Sequence, residues 1–600
     1  MILVFGGTTE GRKAVEVLEE AGNVYYYSTK TGEQDITLHH GQRIDGALDE
    51  GAMRTFCQGH DIRMIVDAAH PFASKLHHTI ASVAEALAIP VIRYERIYPP
   101  RDPDITWIDD YSQIPTDIHS LLATTGVQSI GKLKYLETKG IKVTYRILNR
   151  ESSIQLAHQQ GATDEQLCFY PQTAEADAVL MKESGESGGF SEKIAEARER
   201  GMRIIVLKRP EGFVVHGSWF VVNGPYGLRR AVEKLLPAFF PLHSGLTTGT
   251  CATAAAVAEA LRLVKGDTPA EVPVLLPNGE TISVPVRYAD GYACCIKEAG
   301  DDPDVTDGIE IRATMKLVPT DGPGQSLSDT IEIVGGEGVG TFTLPGFDYP
   351  PGEPAINKAP REMIRQNLTQ LINPLHSGRG RGWVCTISVP QGAEIARRTF
   401  NPRLGIEGGI SIIGVSGIVM PFSEQAFKDS IRKCMQVAVA SGTERVVIHS
   451  GAKSERFLRQ YYTSLPAQAF VEYGNYIGDT IRMAAEQGVR QLTLGIMMGK
   501  AVKLAQGHLD THSRRVTMDK VFISEMLRKA GISIDLTAMT LARELWTLVP
   551  QKHLQSMADI VIAYCRTHCE PLLPQGSLTI LLLTDEGDIY TSSSIRTESV

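Results

Sequence analysis

An apolar run, Ile2-Leu3-Val4-Phe5, leads into Gly6-Gly7-Thr8-Thr9-Glu10-Gly11-Arg12, and an amphipathic stretch follows. A strand, a glycine turn and a helix start present backbone N–H groups and a positive helix end, which suits a phosphate. The spacing is G-G-x-x-x-G and not G-x-G-x-x-G, so a tight turn without a ligand is the competing reading. The next apolar run, Val24–Tyr27, ends in Ser28-Thr29-Lys30-Thr31. An NAD-binding unit usually places an acidic residue there for the ribose 2′-hydroxyl. Hydroxyls and a lysine suit a 2′-phosphate instead, so NADPH is expected over NADH. The candidate cofactor-binding residues are Gly6, Gly7, Thr8, Thr9, Glu10, Gly11, Ser28, Thr29 and Lys30.

A third apolar run, Met64–Val66, leads through Asp67-Ala68-Ala69 to His70-Pro71-Phe72-Ala73. Groups at the carboxyl end of a parallel strand sit over the ligand crevice. His70 there reads as a proton donor or carboxylate binder, with a helix cap as the alternative. Basic residues recur at such positions: Arg93 and Arg96, Lys182 with Ser184, and Lys208-Arg209. Gly126-Val127-Gln128-Ser129-Ile130-Gly131-Lys132-Leu133 has the Walker spacing, but Leu133 stands where the Mg²⁺-binding hydroxyl belongs. Triphosphatase chemistry is not expected.

Beyond Ser244 the chemistry-bearing residues change. Thr247 and Thr248 open an alanine-rich helix, which they either cap or help to hold a carboxylate on its N–H groups. Asp301-Asp302-Pro303-Asp304 places three carboxylates in four positions, able to take a metal or hold a proton. Gly408, Gly409, Gly414 and Gly417 follow Arg403 among strand-forming residues, and such density allows close backbone approach to a flat ligand or cofactor. Lys500 and Lys503 share a helix face that suits an anion. His508 and His512 have the i, i+4 spacing of a metal pair, and Cys565-x3-Cys569 lacks a third close ligand. No metal is assigned.

These groups need a scaffold. A chain of 600 residues implies several domains, and 43% hydrophobic with 22% charged residues is ordinary globular composition. From Met1 to about Pro237, the apolar runs Ile2–Phe5, Val24–Tyr27, Met64–Val66, Val91–Arg93, Val143–Ile147, Ala178–Met181 and Ile204–Leu207 read as strands and alternate with helical stretches such as Glu10–Ala21, Ser74–Ala88 and Glu192–Arg200. That alternation predicts an α/β fold with parallel, Rossmann-like sheets in two sub-domains of about 120 residues each. Leu236–His243, with Pro237 and Pro241, predicts a packed junction. The remainder reads as α+β, with a possible α/β sub-domain around Val446–His449, Leu492–Met497 and Leu578–Leu583.

A net charge of −9 excludes a global basic field for nucleic acid. No apolar run approaches 18 residues, so a membrane span is not expected, and the start of the chain does not read as a signal peptide. Nine cysteines, sparse and irregularly spaced, suit a reducing, cytoplasmic location.

Gly6–Arg12, Asp67–Ala73, Arg93-Tyr94-Glu95-Arg96, Thr125-Gly126, Lys182-Glu183-Ser184-Gly185 and Lys208-Arg209-Pro210 occur in an order that resembles precorrin-6A reductases. Ala69 replaces the threonine of the family's Asp-Ala-Thr-His-Pro, and Gly11 stands where many members have alanine. Residues 243–600 resemble the cobalt-precorrin-5B C1-methyltransferase family. The resemblance rests on Thr247-Thr248-Gly249-Thr250-Cys251, Gly300–Thr306, Gly352–Asn357, the run from Arg403 to Gly417, and Thr511-His512-Ser513. Lys358 stands where that family usually has proline, and Val415-Ser416 replaces a common Thr-Thr pair.

Together the resemblances imply a bifunctional enzyme of cobalamin biosynthesis, divided as 1–240 and 243–600. The second part would methylate cobalt-precorrin-5B at C1 from S-adenosylmethionine, and the first would reduce the product, cobalt-precorrin-6A, to cobalt-precorrin-6B with NADPH. His70, Asp302 and His512 are the candidate catalytic residues. Arg93, Arg96, Lys182, Ser184, Lys208, Arg209, Thr247, Thr248, Arg403, Lys500 and Lys503 are candidate binders of the macrocycle, which carries many carboxylates. Gly408, Gly409, Gly414 and Gly417 are candidates for the methyl-donor site. The competing expectations are a reductase fused to a kinase-like domain built on the Gly335–Gly340 loop, and a non-enzymatic tetrapyrrole carrier.

Overall fold

The computed structural model describes residues 1–30, 32, 34–210, 219–319, 331–372 and 381–592; Thr31 lies outside them. The chain divides into two units, Met1–Ser244 with Pro273–Ser283, and Gly245–Val272 with Val284–Val600.

The first unit holds twelve strands relevant here. They are β1 (Ile2–Phe5), β2 (Tyr25–Thr29), β3 (Gly41–Asp45), β4 (Met64–Asp67), β5 (Val91–Tyr94), β6 (Thr106–Ile108), β7 (Ser120–Ala123), β8 (Lys142–Ile147), β9 (Leu167–Phe169), β10 (Ala178–Lys182), β11 (Arg203–Leu207) and β12 (Trp219–Val222). They form two six-stranded sheets, ordered β3-β2-β1-β4-β5-β12 and β9-β8-β7-β10-β11-β6. All pairings are parallel. The first sheet therefore has the 3-2-1-4-5-6 order of a doubly wound fold; the second shares that arrangement in space, but its outermost strand beside β11 is β6, the earliest of its strands in the chain.

The sixth strands are exchanged. β6 follows β5 in the chain but pairs with β11, whereas β12 follows β11 but pairs with β5. The two sub-domains predicted as consecutive segments are interleaved for this reason.

Helices cover both faces of a parallel sheet, which is why its strands read as continuous apolar runs. In β1, Ile2 and Val4 enter one buried cluster while Leu3 and Phe5 enter the opposite one. The strand's period of two thus supplies two cores. The Leu236–His243 junction is packed as expected: Phe239 and Phe240 are buried in the same cluster as Ile2 and Val4, and the Arg229 guanidinium lies 4.4 Å from the Phe240 ring centre.

The second unit is α+β. Its mixed sheet runs Arg287–Ala289, Tyr292–Ile296, Glu310–Pro319, Arg381–Ser388, Ile331–Gly335, and only the last pairing is parallel. The alanine-rich helix Thr248–Lys265 is buried from Thr248 to Ala260. Small side chains let it lie close to the sheet and to the helix Lys358–Ile372. A second, α/β layer follows, with parallel strands ordered Phe470–Glu472, Arg445–His449, Gln491–Met497, Ser577–Leu583 and an antiparallel edge strand Ile589–Tyr590. In chain order this is 2-1-3-4-5, with a topological switch between the first and third strands. Among the described residues no helix is long and apolar enough to cross a membrane.

Candidate active sites

In the first unit the glycine turn sits where β1 gives way to the helix Thr9–Glu19. Gly6 and Gly11 leave no room for a side chain, because the Tyr27 phenol lies against both. At Gly11 even the family's common alanine would meet the Gly6 backbone at 2.8 Å. Gly7 differs. Its φ of +85° is in the left-handed region, and nothing lies within 4 Å of where a Cβ would stand. The Thr8 hydroxyl caps the helix by accepting from Gly11 N at 2.9 Å and donates to the Ala68 carbonyl. Thr9 is exposed on the first turn.

Two neighbours of this turn were not legible in the sequence. Gly7 N donates to the Tyr27 hydroxyl at 3.1 Å and to Gln34 Oε1 at 3.2 Å, and Gln34 Nε2 donates to the Thr8 carbonyl, so a phenol and a carboxamide share the amide that a phosphate would use. Glu10 is buried and accepts from Arg96 Nε at 3.0 Å and from the Ser187 hydroxyl. Its carboxylate is consumed by the protein and does not face a cofactor.

At the end of β2, Ser28 is buried and Lys30 is exposed. Thr29 donates to Asp45 on neighbouring β3 at 3.1 Å, and Arg43 Nε pairs with the same carboxylate at 2.9 Å. An acidic group absent from the β2 sequence is thus delivered by β3, with Arg43 covering it.

The carboxyl ends of β4, β5 and β10 bring together His70, Arg96 and Lys182. His70 Nδ1 accepts from Phe72 N at 3.2 Å, which leaves the neutral ring's proton on Nε2. Burial, and then the charges of Arg96, Lys182 and Arg93, push its pKa down to about 3. At neutral pH His70 is an uncharged hydrogen-bond donor and not an imidazolium acid. Lys182 has no carboxylate partner among the described residues; its ammonium stands 5.0 Å from the Phe72 ring centre, and burial lowers its pKa.

Most of the other predicted carboxylate binders in this unit are spent internally. Arg93 is buried on Asp67 (3.0 Å), the Ala69 carbonyl and Glu95. Asp67 also holds His77 at 2.6 Å. Arg96 donates to the Ser184 carbonyl at 2.6 Å, while Ser184 itself is buried. Lys208 pairs with Asp109 at 3.0 Å, and Arg209 with buried Glu183 at 3.3 Å while stacking 3.7 Å from the Tyr98 ring centre.

In the second unit several expectations change. Thr247 and Thr248 are buried caps. Thr247 accepts from Thr250 N at 3.2 Å, and Thr248 exchanges hydrogen bonds with Ile413. Gly249 N donates to the Ile413 carbonyl, so the loop 411–417 covers this helix start. The close approaches that the glycines permit are to the protein's own chain. A side chain at Gly409 would collide with the Gly338 backbone, and one at Gly414 with Thr247. Gly408 and Gly417 take φ of +81° and +87° as turn residues. Gly338 is packed against the backbone of Val389 and Gly392, which removes the kinase-like loop from consideration.

The acidic turn is likewise structured from within. Asp304 pairs with fully buried Lys297 at 2.8 Å, Asp307 accepts from Ala299 N, and Asp302 accepts from Phe422 N at 3.2 Å. The helix Met498–Ala505 ends before His508, so the i, i+4 spacing of His508 and His512 does not put them on one helix face. Among the described residues no group of three His, Cys, Asp or Glu could hold a metal. His512 Nδ1 accepts from Arg514 N at 3.2 Å.

At the carboxyl ends of the parallel strands a titratable group gathers that joins the expected Lys500, Lys503 and Arg403 to His449 and Glu455, which the sequence reading does not single out. Lys500 donates to the Gly474 carbonyl at 2.6 Å and to Asn475, and burial with Lys503 alongside lowers its pKa to about 8. Lys503 donates to the Thr511 carbonyl at 3.3 Å. Arg403 pairs with Glu455 at 2.9 Å, and Glu455 stands 3.7 Å from His449.

His449 is fully buried, and neither ring nitrogen has a partner within hydrogen-bonding geometry among the described residues. Burial lowers its pKa to about 4, opposed by Glu455 and reinforced by Arg403 and Arg459. The folded state therefore disfavours the protonated ring. The stability this confers is complete above the ordinary histidine value of about 6.5 and is lost as pH falls through about 4. A loss of about 3 kcal/mol is expected across that window. Melting curves between pH 7 and 4 should show a slope that His449→Leu flattens; an unchanged slope would place the proton elsewhere.

Two family models match the chain: precorrin-6x reductase CbiJ/CobK over residues 1–223 and CbiD over residues 238–421. A cobalt-precorrin-5B C(1)-methyltransferase of Prosthecochloris aestuarii is 42% identical over 353 residues, spanning 57% of this chain and 94% of that protein. Another from Geobacillus kaustophilus is 40% identical over 302 residues, 50% of this chain and 78% of that protein. A crystal structure of the cobalamin biosynthesis protein cbiD from Archaeoglobus fulgidus aligns at 28% identity with a TM-score of 0.26, covering 46% of this chain and 83% of that one.

Proposed function

Because the chain belongs to the cobalt-precorrin-5B C(1)-methyltransferase family and carries a precorrin-6x reductase domain ahead of it, we propose that it performs two steps of cobalamin biosynthesis. Residues 243–600 transfer a methyl group from S-adenosylmethionine to C1 of cobalt-precorrin-5B. Residues 1–240 reduce the product, cobalt-precorrin-6A, to cobalt-precorrin-6B with NADPH. The observation that carries the reductase reading is Gly7: an open, left-handed turn at the head of a helix, where a Cβ would enter empty space. That cradle fits a pyrophosphate, with Gln34 and the Tyr27 hydroxyl giving up the Gly7 amide.

When bound, the nicotinamide cofactor supplies hydride. The chain's own residues supply orientation and a proton. His70 is proposed to offer its Nε2 proton as a hydrogen-bond donor to the substrate, and Lys182, cationic and without a carboxylate partner among the described residues, is the proposed proton donor. Lys30 and Arg43 favour a 2′-phosphate, while Asp45 opposes it. Turnover with NADPH against NADH measures which wins.

For methyl transfer, the donor supplies the reacting group and the protein's task is alignment. Lys500 and Lys503 are proposed to hold substrate carboxylates, and Asp302 and His512 to serve the transfer itself. Asp302→Ala and His512→Ala are each expected to cut methylation by about tenfold or more with melting temperatures little changed. Wild-type turnover in both would leave them as turn-formers, which their bonds to Phe422 N and Arg514 N already make plausible on geometry.

The whole reading is tested by incubating the pure chain with cobalt-precorrin-5B, S-adenosylmethionine and NADPH and following mass and absorbance. A methylated, then reduced product is expected. A ligand bound but unchanged would indicate a carrier.

A further inference from the structure

The C-terminal parallel sheet repeats the strand–turn–helix arrangement of the N-terminus with different chemistry. Strand Arg445–His449 passes through Ser450-Gly451 into the helix Ala452–Tyr461. Gly451 has φ +151°, and the nearest atom to an added Cβ would be Glu472 Oε1 at 3.6 Å. Glu472 ends the next strand, about 20 residues on, the position from which an acidic side chain reaches a ribose hydroxyl.

Its carboxylate makes no hydrogen bond and no ion pair with any described residue, although Arg403, Glu455 and Lys500 surround it. Burial raises its pKa, as befits an acceptor that lacks its donor. The same carboxylate lines a cleft with Phe400, Phe427, Ile431 and Cys434. Gly474, at φ +57°, lets the Phe427 ring lie against the strand end, where a Cβ would stand 2.9 Å from it. Beside the turn, the fully buried His449 ring has both nitrogens unsatisfied. A buried polar ring and a carboxylate without a donor flank one glycine turn at the switch point, where open α/β sheets take their ligands.

We propose that this crevice beside the Gly451 turn is the methyl-donor site, with the ribose hydroxyls of S-adenosylmethionine on Glu472. The proposal rests on the methyltransferase reading above. It replaces the glycines 408–417, of which Gly409 is packed against the Gly338 backbone and Gly414 against the Thr247 side chain.

The test is calorimetric titration of the full chain with S-adenosylhomocysteine. Glu472→Ala should weaken binding by about tenfold or more, since it removes a charged hydrogen-bond acceptor. The 2′-deoxy analogue should lose a similar factor against the wild type but less than about twofold against Glu472→Ala, because the partner is already gone. Glu472→Gln covers the case in which the alanine variant fails to fold, and it should also bind more weakly. Wild-type affinity in a folded Glu472 variant would overturn the site and leave the methyltransferase standing. A wild-type chain that neither binds S-adenosylhomocysteine nor methylates cobalt-precorrin-5B would overturn both.

Discussion

Gly7→Asp is expected to reduce NADPH oxidation by the full chain to background while methylation of cobalt-precorrin-5B continues. The substitution should fold, because an added Cβ meets nothing within 4 Å and Asp is among the residues that tolerate a left-handed turn. Its carboxylate would stand at the head of the Thr9–Glu19 helix, in the space proposed for the pyrophosphate. Repulsion between unit charges about 4 Å apart costs roughly 1 kcal/mol in water and about 4 kcal/mol near a protein surface. Two phosphates multiply that cost, so binding should weaken by at least about 100-fold. Fluorescence titration with NADPH measures it directly. Turnover like the wild type would move the dinucleotide off this turn.

Lys182→Met should lower the rate of reduction by about 10²- to 10⁴-fold, the span of a general acid, with little change in NADPH affinity. The pH profile separates this role from a structural one. Lysine donates a proton only while charged, so the wild-type rate should fall as pH rises through a value below the ordinary lysine pKa of 10.5, because burial lowers it. His70, held at about 3, should add no limb near pH 6–7. A profile with a limb near 6.5 that disappears in His70→Asn would return the proton to the histidine. Loss of the high-pH limb in Lys182→Met would assign it to the lysine.

Local pattern carried a good deal of this fold. The runs Ile2–Phe5, Val91–Arg93, Ala178–Met181 and Ile204–Leu207 lie within observed strands, because a strand buried on both faces has no polar position to obscure it. β3, β6, β7, β9 and β12 were missed. β6 and β9 are three residues long, and β3 has no fully buried residue, so neither leaves a hydrophobic signature. The second nucleoside-like turn, Ser450-Gly451 followed by Glu472, was open to the same reading as Gly6-Gly7. It carries one glycine and was passed over.

What the sequence determined by itself was each strand–turn–helix unit, since helix and strand periods and left-handed glycines are properties of a few neighbouring residues. Which groups remained available for chemistry was decided only in the tertiary structure. Arg96 meets Glu10 and Ser184 across 86 and 88 residues, Arg403 meets Glu455, and β6 and β12 trade sheets. The same packing left Lys182 and Glu472 in no ion pair with any described residue. A buried charge must find its counter-charge wherever the fold delivers one. A basic residue at a strand end therefore states that an anion is needed, and only the assembled chain settles whether the protein or a ligand provides it.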